Sequence, residues 1–329
     1  MKKLTTTLLL VASGLLSNVY GQLQPLYDQY HFNQLVFNPG YAGSKGMLET
    51  NFFLHRHAVN FEGAPGSESF TVHTPLANDK IGLGVKFFHD KLGVTNTNFL
   101  GIDYAYRMHI NSNLTASIGI EASIANYTVN YSDLDAYQDG DPTFTGASDT
   151  YWAPNAGVGL YLHSDSYYLG VSTVNLLGAS DDDTQTESEP YDDHFDQVRT
   201  IYATLGTLIT VNENFAIKPD AMVKMAESLP SQLDVNMNFI FNNMFLVGGG
   251  YRTNGSFGSY SVAAQYLFST DNNITAHEAG FGYSYSAALT DDAVFLSPSH
   301  EVFLVYRFNK HNNKIKTQDF SETRYDESL

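Results

Sequence analysis

The chain of 329 residues carries 35 acidic and 17 basic side chains, and its formal net charge of −18 argues against nucleic acid as a partner. Cysteine is absent, which excludes a disulfide framework, a thiolate metal site, a cysteine nucleophile and a lipoprotein anchor. Only 16% of residues are charged while 14% are aromatic, with 22 Tyr, 22 Phe and 26 Gly, so the composition departs from soluble domains, of which about a quarter is charged.

In chain order, Met1-Lys2-Lys3 is a short basic region, Leu8 to Leu16 an apolar core, and Val19-Tyr20-Gly21 a polar end with small or neutral residues where cleavage would fall. The pattern predicts a secretory signal over residues 1–21 and a mature chain beginning at Gln22. No later apolar run is long enough to cross a bilayer as a helix. An exported, aromatic-rich membrane chain of this kind must therefore cross as a closed barrel. Residues 22–46 combine aromatics with amides and show no sustained period. They form either a plug or periplasmic docking element, or a structural cap that seals one barrel opening, and the cap is the preferred reading.

From residue 47 to residue 309 the sequence falls into segments of period-two hydrophobicity separated by turn residues. Leu114, Ala116, Ile118, Ile120, Ala122 and Ile124 share one face, against Thr115, Ser117, Gly119, Glu121 and Ser123. Leu233, Val235, Met237 and Phe239 likewise oppose Asp234, Asn236 and Asn238; Tyr104 and Tyr106 oppose Asp103 and Arg107; Ile217, Ala221 and Val223 oppose Lys218, Asp220 and Lys224. Charge confined to one face predicts that this face lines a lumen, because charge against hydrocarbon costs about 2–4 kcal/mol at the midplane. The segments predict strands at 47–58, 67–74, 80–90, 97–109, 113–128, 153–163, 167–176, 199–211, 215–225, 231–242, 245–253, 259–268, 274–287 and 300–309. The expected fold is an all-β transmembrane outer-membrane barrel of about 14 antiparallel strands, with the N-terminal plug or cap. If the first strand runs outward, short polar turns such as Ala77-Asn78-Asp79 and Asn242-Asn243 face the periplasm, and the long connections 130–152 and 177–198 face outside. Residues 310–329 read as a polar periplasmic tail, which places both termini in the periplasm of a Gram-negative bacterium.

Other constellations point to less. His55 and His57 share a strand face, as a metal pair would, but no third ligand lies nearby in sequence and lumen-facing histidines are the preferred reading. Asp133, Asp135, Asp139 and Asp141 crowd one loop, and Asp139-Gly140-Asp141 has the oxygen-rich turn of a calcium loop without its terminal glutamate, so a solvated loop is preferred to calcium. The second acidic loop, Asp181 to Asp193, is read as solvated. Ser299-His300-Glu301 is contiguous, and strand neighbours point to opposite faces, so it is not a catalytic triad. No Gly-x-Ser-x-Gly elbow or phosphate loop is present. No cofactor and no catalysis are expected.

The most specific signal lies before the first strand, in Gln29-Tyr30-His31-Phe32-Asn33 and Asn38-Pro39-Gly40-Tyr41-Ala42-Gly43. In Gln29, Tyr30, Phe32, Asn33, Asn38, Pro39, Tyr41, Ala42 and Gly43 the chain resembles the PorP/SprF family of type IX secretion system membrane proteins of Bacteroidota. Weaker similarity continues through Gly63-Ala64-Pro65, Tyr104-Ala105-Tyr106-Arg107, Gly249-Gly250-Tyr251-Arg252 and Ser299-His300-Glu301. His57-Ala58 stands where the family often has Gln-Trp, and Gly40 where it often has Ala. The resemblance implies a non-enzymatic barrel component of type IX secretion or the gliding apparatus, set in outer-membrane lipid. Its implied partners are periplasmic secretion components and a large secreted cell-surface protein with a C-terminal secretion domain, with the nine motif residues as a partner-binding or plug element. The alternatives are a diffusion channel for a small solute and, third, a barrel hydrolase.

Overall fold

The computed structural model describes residues 27–57, 64–130, 148–178, 197–227, 229–253, 258–271, 276–289 and 298–309. The proposed signal, the calcium-loop aspartates Asp133, Asp135, Asp139 and Asp141, the second acidic loop and the C-terminal tail lie outside the described residues. Three single 3-10 turns, Tyr30–Phe32, Gln34–Val36 and Pro39–Tyr41, precede the strands. The first eight strands are β1 (Leu48–Arg56), β2 (Gly66–Leu76), β3 (Ile81–Leu92), β4 (Thr95–His109), β5 (Leu114–Asn130), β6 (Ser148–Ser164), β7 (Tyr167–Val174) and β8 (Thr200–Thr207). They are followed by β9 (Ile209–Asn212), β10 (Phe215–Ala226), β11 (Gln232–Phe241), β12 (Phe245–Thr253), β13 (Gly258–Asp271), β14 (Ala276–Ala288) and β15 (Ser299–Asn309).

Apart from β8 and β9, each strand pairs antiparallel with its sequence neighbours, and β1 pairs with both β2 and β15, so the sheet closes. β8 and β9 both lie against β10 and are halves of one wall strand, interrupted at Leu208, whose N–H donates to Ser166 O at 2.7 Å. The wall therefore has fourteen strands, the expected number. Closure leaves no edge with unpaired backbone groups, which is what a bilayer demands of a sheet.

The alternation sorts side chains as anticipated. Leu83, Ile102, Ile120, Leu160, Leu205, Val235, Phe281 and Leu304 point outward and are exposed, whereas Glu49, Lys86, Asp103, Glu121, Lys218, Asp220, Glu278, Glu301 and Arg307 point inward and are buried. Short reversals join strands at one end of the barrel. Ala77, Asn78 and Asp79 adopt φ of 52°, 56° and 63° in a four-residue connection, and Asn242 and Asn243 adopt 51° and 55° in a three-residue one, left-handed values that Asn and Asp tolerate better than most residues. Most boundaries fall within two residues of expectation, and two differ by three or more. β6 begins at Ser148 because Ser148 to Trp152 continue the ladder opposite Asn126 to Asn130, and β13 runs on to Asp271, opposite Ala276. Both extensions are polar or mixed in sequence, where pairing persists without an alternating pattern.

Placing a cation on the outward face tests this sorting. Ile120→Arg is expected to lower the barrel's unfolding free energy by about 2–4 kcal/mol in lipid vesicles titrated with urea. A loss below about 1 kcal/mol would mean that Ile120 does not face hydrocarbon.

Candidate functional site

The motif-bearing segment does not hang below the wall. From Tyr27 to Lys45 nearly every residue is buried, and its partners are inward-pointing groups of strands all around the barrel. A chain of short 3-10 turns leaves many N–H and C=O groups without local partners, and the wall supplies them. Glu301 of β15 accepts the Asp28 and Gln29 N–H groups, each at 3.1 Å. Arg252 of β12 donates to Tyr27 O at 2.8 Å and pairs with Asp28 at 3.0 Å. Lys86 of β3 donates to Leu35 O and Val36 O at 3.1 and 3.2 Å. The same ammonium meets Glu121 of β5 at 2.6 Å and Asp103 of β4 at 3.5 Å, so one cation joins two carboxylates and two carbonyls in a buried cluster. His31 lies 3.4 Å from Asp220 of β10, and its other ring nitrogen is 3.2 Å from Asn238 Nδ2 of β11.

The nine motif residues fall along this one line. Gln29 Nε2 donates to Ser284 Oγ at 3.3 Å, and Asn33 Oδ1 accepts from Thr71 Oγ1 at 3.1 Å. Tyr30 packs with Phe37 and Tyr202, while Phe32 stacks on Phe303 at 5.1 Å between ring centres. Asn38 caps the third turn, its Oδ1 accepting from Gly40 N at 2.9 Å while Nδ2 donates to Leu160 O at 3.1 Å; Pro39 takes the first position of that turn. Tyr41 meets Tyr161 and His73 edge-on, each at 5.2 Å. Ala42 is fully buried, and Gly43, at φ 74°, donates to His73 Nδ1 at 3.2 Å.

Three wall glycines make room for the Asn38 to Gly43 stretch. A Cβ at Gly82 would overlap the Ala42 carbonyl, one at Gly119 the Pro39–Gly40 peptide, and one at Gly159 the Asn38 side chain. These glycines, with Lys86, Glu301 and Arg252, are the positions that inspection of the motif alone does not find. Inward charge on alternating positions signals the last three; nothing in the sequence distinguishes the glycines from ordinary strand glycines.

A wall-only network sits beside the segment. Glu49 pairs with Arg307 at 2.5 Å and with His73 at 3.2 Å, and Arg307 reaches Glu278 at 2.9 Å. Toward the end of the long connections lies a small cavity of about 50 Å³, with Phe53, Phe88, Phe99 and Tyr127 on its walls and Tyr30 and Phe37 among its lining. His55 and His57 do come together, with 3.3 Å between His55 Nε2 and His57 Nδ1. His57 stands beyond the end of β1, where burial first and the neighbouring His55 second push its imidazole down to about 4, so it is neutral at pH 7. Among the described residues, no three His, Cys, Asp or Glu side chains converge as a metal site would require.

A closed antiparallel wall with an apolar exterior and a polar interior defines an outer-membrane β-barrel protein. The family model described as type IX secretion system membrane protein PorP/SprF matches residues 19–306, and the chain belongs to that family. No curated protein matches the chain. Similar solved structures include the CymD monoaromatic hydrocarbon channel, at TM-score 0.49 and 9% identity over 89% of this chain and 96% of that one. A Pseudomonas aeruginosa FadL homologue gives TM-score 0.46 and 11% identity over 88% of this chain and 95% of that one. Acinetobacter baumannii outer membrane protein Omp33 gives 0.44 and 9% over 82% and 99%. Likeness this distant carries nothing about what passes through or binds this chain.

The Lys86 cluster gives a sharp energetic expectation. Lys86→Met leaves two buried carboxylates without their cation and should destabilise the barrel by about 3–5 kcal/mol in urea unfolding. Adding Glu121→Gln to it should recover part of the loss; no recovery would mean that the carboxylates are solvated in the folded barrel.

Proposed function

We propose that this barrel is a non-enzymatic outer-membrane component of the type IX secretion or gliding apparatus whose lumen is filled by its own N-terminal segment. In this reading residues 27–45 are a plug, both chain termini face the periplasm, and residues 1–21 are the export signal. The barrel helps to export or anchor a large cell-surface protein with a C-terminal secretion domain, and it docks periplasmic secretion components. Support for the lumen reading comes from one observation above the others: the family motif is buried against inward-facing side chains from β2 to β15. Residues so buried are better suited to holding the interior than to meeting a soluble partner, so docking surfaces are sought on the turns and termini. The aromatic cavity favours one second reading, passage of a small apolar solute, for which the segment would have to move.

Mild-detergent purification of the tagged barrel from its native membrane, with mass spectrometry of what stays bound, tests the assignment. Periplasmic secretion components or a large surface protein are expected. A bare barrel with steady ion conductance in planar bilayers would shift the assignment to the channel.

The plug has its own test in Tyr30, Phe32 and Tyr41 replaced together by Ala. Each large aromatic lost from a packed interior costs about 3–5 kcal/mol, so the heat-modifiable folded band should shift to a markedly lower melting temperature. Loss of bound partners with an unshifted barrel would instead assign these residues to docking.

A further inference from the structure

The first and last strands of the wall meet along the β1–β15 seam, where His55 lies opposite Glu301 and Arg56 opposite His300. At the end of this seam three donor atoms gather. His55 Nε2 is 3.3 Å from His57 Nδ1, and Ser299 Oγ is 3.3 Å from that same His57 nitrogen. Ligand atoms on a tetrahedral zinc ion at 2.0–2.1 Å are separated by about 3.3–3.4 Å, so both spacings match edges of such a tetrahedron. A square-planar ion with similar bond lengths brings neighbouring donors to about 2.9 Å and fits less well.

The orientation of His55 agrees with this use. Glu301 Oε2 lies 2.9 Å from His55 Nδ1, an arrangement in which Nδ1–H donates to the carboxylate and Nε2 is the atom left for a metal, which binds there in place of a proton. A carboxylate behind a histidine in this way fixes the ring and raises its basicity toward a metal. Glu301 is itself held by the Asp28 and Gln29 N–H groups, which ties the ring's orientation to the N-terminal segment.

We propose that His55 Nε2 and His57 Nδ1 bind one Zn²⁺ ion at the β1–β15 seam, with the Ser299 hydroxyl as third donor and water completing the tetrahedron. A third His, Cys, Asp or Glu ligand is not at hand among the described residues, so the site is weaker than a three-histidine centre. Its position gives it a structural consequence. The ligands come from the two ends of the barrel sequence and converge only when the wall is closed, so bound metal stabilises the closed barrel by mass action. The bland alternative is a string of hydrogen bonds, Ser299 to His57 to His55 to Glu301, with no ion.

The test uses the full barrel, purified on a non-histidine tag, stripped with chelator and titrated with ZnCl₂ by calorimetry, with MgCl₂ as control. One Zn²⁺ per barrel is expected, with a higher melting temperature in its presence. His57→Gln should bind at least tenfold more weakly and lose the thermal shift, and Ser299→Ala should bind several-fold more weakly. His277→Gln, at a histidine near the opposite end of the wall, should behave as the unaltered protein. The heat-modifiable band on a gel checks that each variant folds. Absence of Zn²⁺ binding in the unaltered barrel, or equal binding by folded His57→Gln, would overturn the site and leave the hydrogen-bonded string.

Discussion

A fourteen-strand wall encloses more space than its own inward side chains fill, and whatever occupies that space must match the polar groups facing it. Residues 27–45 meet those groups here, and the matching is done largely by their backbone. Lys86 takes two carbonyls, Glu301 two amides and Arg252 one carbonyl, each from a segment too irregular to satisfy them by itself. An α-helix in the same place would spend those groups on itself and leave the wall charges to one another. The broken 3-10 path and the charged lumen are thus two halves of one solution.

The segment meets the wall in two distinct ways. Its first part, Tyr27 to His31, is held by charges and amides of β10 to β15. Its last part, Asn38 to Gly43, lies with backbone close against glycines of β3, β5 and β6, where contact depends on absent side chains. Between them Leu35 joins Tyr41, Ala105 and Tyr161 in one cluster, while Phe37 stacks on Tyr202 at 5.0 Å. Charge pairing tolerates small shifts, whereas peptide-on-peptide packing does not. The register of the segment is therefore set at its Asn38 to Gly43 end.

The wall was legible in the sequence because a bilayer forces period two on every strand. Leu233 to Phe239 and Leu114 to Ile124 announced both their strand and their inner face. What failed to show had no such forcing. Ser148 to Trp152 pairs with β5 without alternating, and Leu208 breaks a strand whose pattern runs straight through it. The interior was half legible: Asp103, Glu121 and Asp220 were readable as lumen-facing, but their partners were not. Glu301 and the Gln29 amide are 272 positions apart, and only closure of the barrel brings them together. The His55 and His57 pair was visible as a pair, yet its neighbour Ser299 arrives from the far end of the chain. The family motif, by contrast, was plain in sequence while its location was not, because an aperiodic segment carries no direction of its own.

Whether the lumen can empty turns on apolar area more than on charge. Were the segment to leave, water could enter and hydrate Lys86, Asp103 and Glu121, as it does the lining of an open porin, so their ion pairs alone do not bar the exit. Phe32, Leu35 and Phe37 have no such substitute. Each is at most 5% exposed, and transferring each to water costs roughly 1.5–3 kcal/mol, or about 5–9 kcal/mol together. At about 1.4 kcal/mol per tenfold, that biases the closed form over the emptied one by more than a thousandfold before Tyr30 and Tyr41 are considered. A solute that merely diffuses through supplies no binding energy of that size, whereas a protein partner that buries comparable apolar surface can. An emptied lumen would therefore need contacts, absent from the filled form, that offset this apolar exposure.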